Sequence, residues 1–472
     1  MRSALRIEIL AAGGVVLALA SIPSAGFSHA ATGARRSPGS STDCRVQSVV
    51  FEGWKAQQLT NEWLQLVIVP QLGGRLMQVT FAGHPYLFVN PKLRGKYFPP
   101  NEGGASGTWF NYGGDKLWPL PEGTQDDQHW PGPVADALDD GDYSFTVLSE
   151  GEQCRVRLEG PPDVRTGLQY TREISLSAGA PQISFHATMK NISHRPIRWS
   201  IQTVTQYDTA DARDSATYNR DFWAFAPVSP KSSYLDGYHV RSGLADDPSY
   251  SVKNNLFTLR WLYLQGEVWI DSLGDWAAIV DGTSRFAMIE RFTFHDRAEY
   301  PGKASVIFYK NGPTVELDEH GAPVIRTNED DAPFYMEAEL NSPMVRLEPN
   351  DTYSFDTDWF PTRIGSNFIS ANRVGVTAEP LSTSITADGV RLAGSFGVFF
   401  PGRLVAHLLG SGEEELAQVP LQEVNPSEPA IINQTIKPSA AVQRISIHLI
   451  DRRSKDRGIL AEARIHNPAG GP

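Results

Sequence analysis

From Cys44 onward the chain alternates apolar and polar residues with a period of two, the mark of half-buried strands. "WLQLVIVP", "YSFTVLS", "LQYTREISLS", "QISFHATMKN" and "IRWSIQTVTQY" follow it, enriched in β-branched and aromatic residues. "LFTLRWLYL", "AAIVDG", "FAMIERFTF", "SVIFYKNG", "FYMEAELNS" and "TYSFDTDWF" extend the series. Gly, Pro, Asn and Asp punctuate the gaps, and 41 Gly and 33 Pro in 472 residues suit turns between strands. No segment carries a sustained helical stripe. The pattern predicts an all-β, antiparallel architecture of packed sheets.

Two places break the rhythm. "NYGGDKLWPLPEGTQDDQHWPGP", residues 111–133, shows neither period and reads as a long irregular loop rich in Gly, Pro and Trp. Disordered segments are poor in aromatics, so this one is expected to be shaped for function. Near 362–372 "TRIGSNFISANR" interrupts the strands, and "GVRLAGSFGVFF", "RLVAHLLG", "AVQRISIHLID" and "ILAEARI" follow. That second block has the size and spacing of a sandwich. The expected division is a main β domain over 44–364 and an accessory β-sandwich over 365–472.

The first residues change the picture of where the protein works. Arg2 and Arg6 precede an apolar run that ends in Ser28-His29-Ala30, a small-x-small pattern before Ala31. Residues 1–30 therefore read as an export signal, and 31–43, polar and rich in Gly, Ser and Pro, as a linker. The expected location is periplasmic or secreted, with no membrane association once the signal is removed. Cys44 and Cys154 form an even set, and an oxidising compartment makes a disulfide between them plausible. A net charge of −12 argues against nucleic acid as a partner. No P-loop, dinucleotide fingerprint, Ser-His-Asp signature or metal-ligand spacing is present, so no cofactor and no metal is expected. "DALDDGDYS", with Asp136, Asp139, Asp140 and Asp142, could hold calcium by oxygen ligation but lacks the EF-hand spacing, and reads better as a solvated turn.

Four phrases in order carry a resemblance: "VIVPQLGGRLMQVTFAGHPYLFVNP", "GGDKLWP", "ATMKNISHRPIRWSIQT" and "MEAELNSPMVRLEPNDTYSF". Over about residues 45–362 the chain resembles the galactose mutarotase-like superfamily, and within it a branch of bacterial exported proteins. The resemblance implies a β-supersandwich for the main domain, with the smaller C-terminal β-sandwich outside it. It also implies a sugar cleft with a carboxylate base late in the domain, where Glu337 and Glu339 stand. A histidine acid is expected on a central strand, but Gln202, Thr205 and Gln206 occupy that region. An amide does not donate and regain a proton near neutral pH, so the departure argues against epimerase activity.

Sugars offer flat C–H patches and a rim of hydroxyls, so a site needs aromatic faces and fixed polar groups. Trp109, Tyr112, Trp118 and Trp130 supply the first kind. Arg75, Lys116, Glu122, His129, Arg172 and Gln202 are candidates for the second. Alternation places Arg172 on the inward face of its strand with Tyr170 and Ile174, which calls for a partner. Glu337, Glu339 or a bound anion would serve, and with Lys116 the latter hints at an acidic sugar. Glu337 and Glu339, two apart on a strand, share a face, so one can raise the pKa of the other. The reading is an exported carbohydrate-binding protein with a mutarotase-like cleft and no mutarotase activity. The alternative is an epimerase, lyase or hydrolase using Glu337 or Glu339 as base, with His129 as the available acid or Tyr112 as a partner.

Overall fold

The computed structural model describes residues 43–100, 109–123, 128–133, 137–326 and 333–465. The expected signal peptide and all of the linker but Asp43 lie outside them. The architecture is all-β. One antiparallel sheet of twelve strands faces another of ten, and two four-stranded sheets near the C-terminus form a smaller sandwich. Leu168–Ser177 shows how alternation places a strand: Leu168, Tyr170, Arg172, Ile174 and Leu176 are buried, and the residues between them are half-buried. Tyr170, Ile174 and Leu176 join Leu117, Ile201, Val306 and Phe308 of the other sheet in a core between the two layers.

The twelve-stranded sheet runs, in spatial order, through Arg75–Phe81, Asp115–Leu120, Ile197–Asp208, Tyr335–Asn341, Val306–Lys310 and Gly266–Ile270. Asp115–Leu120 corrects the reading of 111–133 as an irregular loop. These six residues are a strand paired in register with Ser200–Thr205. Every one of them is buried, so no alternation of exposure is written into the sequence. Gly113 and Gly114 lead into it at φ 97° and 74°. A Cβ on Gly113 would stand 2.2 Å from the carbonyl oxygen of Phe88, so only glycine fits there.

The C-terminal sandwich packs on the outer face of the ten-stranded sheet. Phe225, Trp276, Val280, Ile289 and Phe360 of that sheet share one hydrophobic core with Phe368, Val376, Phe396, Phe399 and Leu449. The described residues form one compact unit. A disulfide joins Cys44, just before the first strand, to Cys154 in Gln153–Glu159 of the other large sheet. Among the described residues, no helix is long and apolar enough to cross a membrane.

Candidate functional site

A buried strand in the middle of a sheet sends successive side chains to opposite faces. In Asp115–Leu120, Asp115 and Leu117 turn toward the second sheet, while Lys116 and Trp118 turn to the face away from it. Cross-strand pairing extends that outer face in rows. One row runs through Gln206, Glu337, Tyr309 and Glu267, and the next through Lys116, Val204, Glu339, Ile307 and Trp269. Polar and aromatic side chains from five strands therefore lie side by side.

Asp139 holds one end of this face together. It belongs to a single helical turn, Ala137–Asp140, and is fully buried. One carboxylate oxygen accepts from Trp118 Nε1 at 2.6 Å, and the other accepts from Trp109 Nε1 at 3.0 Å. Arg75 Nη2 lies 2.8 Å from Asp139 Oδ2 and 3.4 Å from Asp140 Oδ1. Burial, and then the charge of Asp139, pushes the Asp140 carboxyl up to about 9. Gly73, at φ 66°, makes the approach feasible, since a Cβ there would lie 1.8 Å from the Asp139 carbonyl oxygen. The expectation of a solvated turn fails for Asp139 and Asp140, which are buried and serve Arg75, Trp118 and Trp109 as acceptors. Asp142 is exposed, and Asp136 lies outside the described residues.

With both indoles fixed, Lys116 takes its place. Its Nζ sits over the Trp118 ring at 4.7 Å and the Trp109 ring at 5.8 Å, and 3.7 Å from Glu337 Oε1. The ammonium is buried and has no hydrogen-bond partner among the described residues. Burial lowers its pKa, and the Glu337 carboxylate works against that. Gln206 donates to Glu337 at 2.6 Å, and Gln202 donates to Glu339. Burial, followed by the charge of Glu337, holds the Glu339 carboxyl well above the usual range. Glu122 is exposed, yet loss of solvation and then the charges of Glu267 and Glu337 push it up to about 7. Trp269, half-buried, donates from its indole to Glu267.

The inward face of the same strands carries a separate network. Arg172 pairs with Asp115, which also accepts from Thr205 at 2.9 Å, and Tyr207 donates to Glu290 at 2.5 Å. Burial pushes Glu290 up to about 8, although the Tyr207 hydrogen bond opposes it. A carboxyl whose folded value exceeds its unfolded value of 4.5 binds its proton more tightly in the folded state. The stability tied to that proton is complete below about pH 4.5 and drains away as pH rises through about 8. Glu290→Gln is therefore expected to flatten the fall in unfolding free energy across that window, read by urea denaturation at several pH values. An unchanged slope would show that Glu290 is not a source of the decline.

The structure brings Lys116, Glu122, Gln202, Glu337 and Glu339 together and separates others from them. Arg172 points inward as alternation requires, but its partner is Asp115, not Glu337 or Glu339. Arg172 and Lys116 therefore do not converge, which removes the basis for an acidic sugar. Arg75 is fully buried against Asp139, and Tyr112 is buried with its hydroxyl accepting from the Phe98 amide at 2.9 Å. Trp130 is fully buried and Trp118 nearly so, their ring centroids 5.2 Å apart. In this arrangement the pair is packing and not an open platform, since each ring is covered by its neighbours. Trp109 is half-buried, and His129 is half-buried beside Gly123. Glu267, Trp269 and Tyr309 escaped notice, although Glu267 and Trp269 alternate with apolar residues in "GEVWI" and so share a face. Among the described residues, no group of three or more His, Cys, Asp or Glu side chains could hold a metal.

No family model matches the chain, and no curated protein matches it. Solved structures do. A TPR-domain containing protein from Parabacteroides distasonis is 14% identical over 68% of this chain, with a TM-score of 0.42, and the chain spans half of that protein's length. A galactose mutarotase-like protein from Clostridium acetobutylicum is 10% identical, with 68% of this chain and 99% of that one covered and a TM-score of 0.44. Another from Lactobacillus casei is 12% identical, with 67% and 100% covered and a TM-score of 0.40. The chain is structurally similar to galactose mutarotase-like proteins at low sequence identity, a likeness of fold.

Proposed function

We propose that the outer face around Lys116, Glu337 and Glu339 binds carbohydrate, in an exported protein, without interconverting anomers. The observation that carries this reading is Lys116: a buried ammonium, seated on two indoles, with no hydrogen-bond partner among the described residues. A cation held this way is ready to meet a ligand oxygen. Around it the Gln202 and Gln206 amides fix the two carboxylates, while half-buried Trp269 and Tyr309 offer flat apolar surface. Export is supported by the Cys44–Cys154 disulfide, which suits an oxidising compartment. The amides facing the carboxylates are no proton donors, which argues against ring opening.

A second reading has a specific observation behind it. Burial and the neighbouring Glu337 raise the proton affinity of Glu339, and the two carboxyls stand on one strand, as an epimerase, lyase or hydrolase would need. Polarimetry on freshly dissolved glucose and galactose, run beside calorimetric titration of sugars, separates the two. The expected result is binding without any acceleration of mutarotation, with Lys116→Met weakening binding by about tenfold or more. Acceleration that disappears in Glu339→Gln would establish the enzyme instead.

A further inference from the structure

The outer face is rich in acceptors and short of positive charge. Glu267, Tyr309, Glu337 and Gln206 occupy one cross-strand row. Glu267 and Glu337 therefore stand two strand spacings apart, about 10 Å. Glu339 lies two residues along from Glu337, and Glu122 feels the charges of both Glu267 and Glu337. Arg241 acts on Glu122 and Glu267, and Lys116 acts on Glu339. Lys116 is already close to Glu337, and exposed Arg241 lies over the Trp269 ring at 5.7 Å.

The amides point the same way by an independent route. Gln202 and Gln206 each turn an N–H onto a carboxylate. That leaves Gln206 Oε1 as a buried acceptor with no hydrogen-bond partner among the described residues, and Asn341 Oδ1, in register with Gln202, is another. A carbonyl oxygen can only accept. A uronic acid would bring further acceptors to a face already full of them. An ammonium donates three hydrogen bonds, accepts none and carries the missing charge.

We propose that the glycan bound at this face carries a free amino group, as a hexosamine unit does, and that Glu122 and Glu267 select it. The inference rests on the carbohydrate-binding reading above. The test is a glycan array carrying free-amine, N-acetylated, neutral and uronic-acid glycans, probed with the wild-type chain and three variants, each first shown to melt like wild type. The strongest signal is expected on free-amine glycans, about tenfold or more above their N-acetylated counterparts. Glu267→Gln and Glu122→Gln should each shrink that ratio, and Arg241→Gln should enlarge it by removing a competing cation. Strongest binding to neutral, N-acetylated or acidic glycans would overturn the amine and leave carbohydrate binding standing. A ratio untouched by all three variants would overturn the assignment of Glu122 and Glu267. Binding to no glycan at all would sink both readings.

Discussion

Replacing Asp139 with alanine is expected to remove about 3–5 kcal/mol of folding stability, the range for breaking a buried ion pair from one side. The reason lies in what one carboxylate satisfies. It faces the fully buried Arg75 guanidinium at 2.8 Å and accepts the indole N–H groups of Trp118 and Trp109. Without it Arg75 retains Asp140 at 3.4 Å and the carbonyl oxygens of Gly113 and residue 139. A buried guanidinium loses the nearer of its two carboxyl partners, and two indole N–H groups lose their acceptor. The loss also reaches the site, since Trp118 supports Lys116 from below at 4.7 Å. Asp139→Asn keeps an oxygen for an indole but no charge, and should fall between alanine and wild type. Urea denaturation reads the stability of both variants. A loss within about 0.5 kcal/mol, the range of ordinary surface substitutions, would show that the Arg75 charge is accommodated some other way.

Cutting the chain after Ile364 is expected to leave a product that does not fold to a stable monomer. The C-terminal sandwich covers Phe225, Trp276, Val280, Ile289 and Phe360 on the outer face of the ten-stranded sheet. Phe225 and Phe368 lie 4.5 Å apart between ring centroids, and Phe360 and Phe399 4.8 Å. Backbone also crosses: the Arg363 amide donates to the Pro426 carbonyl at 2.9 Å. Exposing five large apolar side chains at roughly 1.5–3 kcal/mol each amounts to about 10 kcal/mol. That rivals the total stability of an ordinary protein, about 5–15 kcal/mol. Calorimetry of the intact chain should accordingly show one cooperative transition, and gel filtration of residues 43–364 should show aggregate. A truncated chain that is monomeric and melts like the parent would refute the shared core.

Much of the fold was legible because half-buried strands advertise themselves. Leu168–Ser177 and Ile183–Asn191 alternate residue by residue, and their bounds could be read almost to the residue. Asp115–Leu120 could not. It is buried on both faces and contains a proline, so neither alternation nor composition marks it as a strand. The site was half legible for a related reason. Glu337 and Glu339 share a face by local geometry alone, and a two-residue spacing suffices to show it. The partners of Arg75 and Arg172 are decided by contacts 64 and 57 residues away in sequence, with Asp139 and Asp115. No local pattern encodes those distances. "DALDDGDYS" has the composition of a solvated turn, and only three donors distant in sequence, Arg75, Trp109 and Trp118, make it part of the interior.

The disulfide has a mechanical side. Arg45–Phe51 is an edge strand, hydrogen-bonded to one neighbour only, and a pull on its leading end would ordinarily peel it away one residue pair at a time. Cys44 stands immediately ahead of it, bonded to Cys154 and paired through its backbone with Gly151. Tension arriving through the preceding residues therefore divides at Cys44. Part of it passes straight into Gln153–Glu159, a strand held by neighbours on both sides in the opposite layer. The edge pairing is spared that share of the load, and a chain tugged ahead of Cys44 resists as two sheets clamped together.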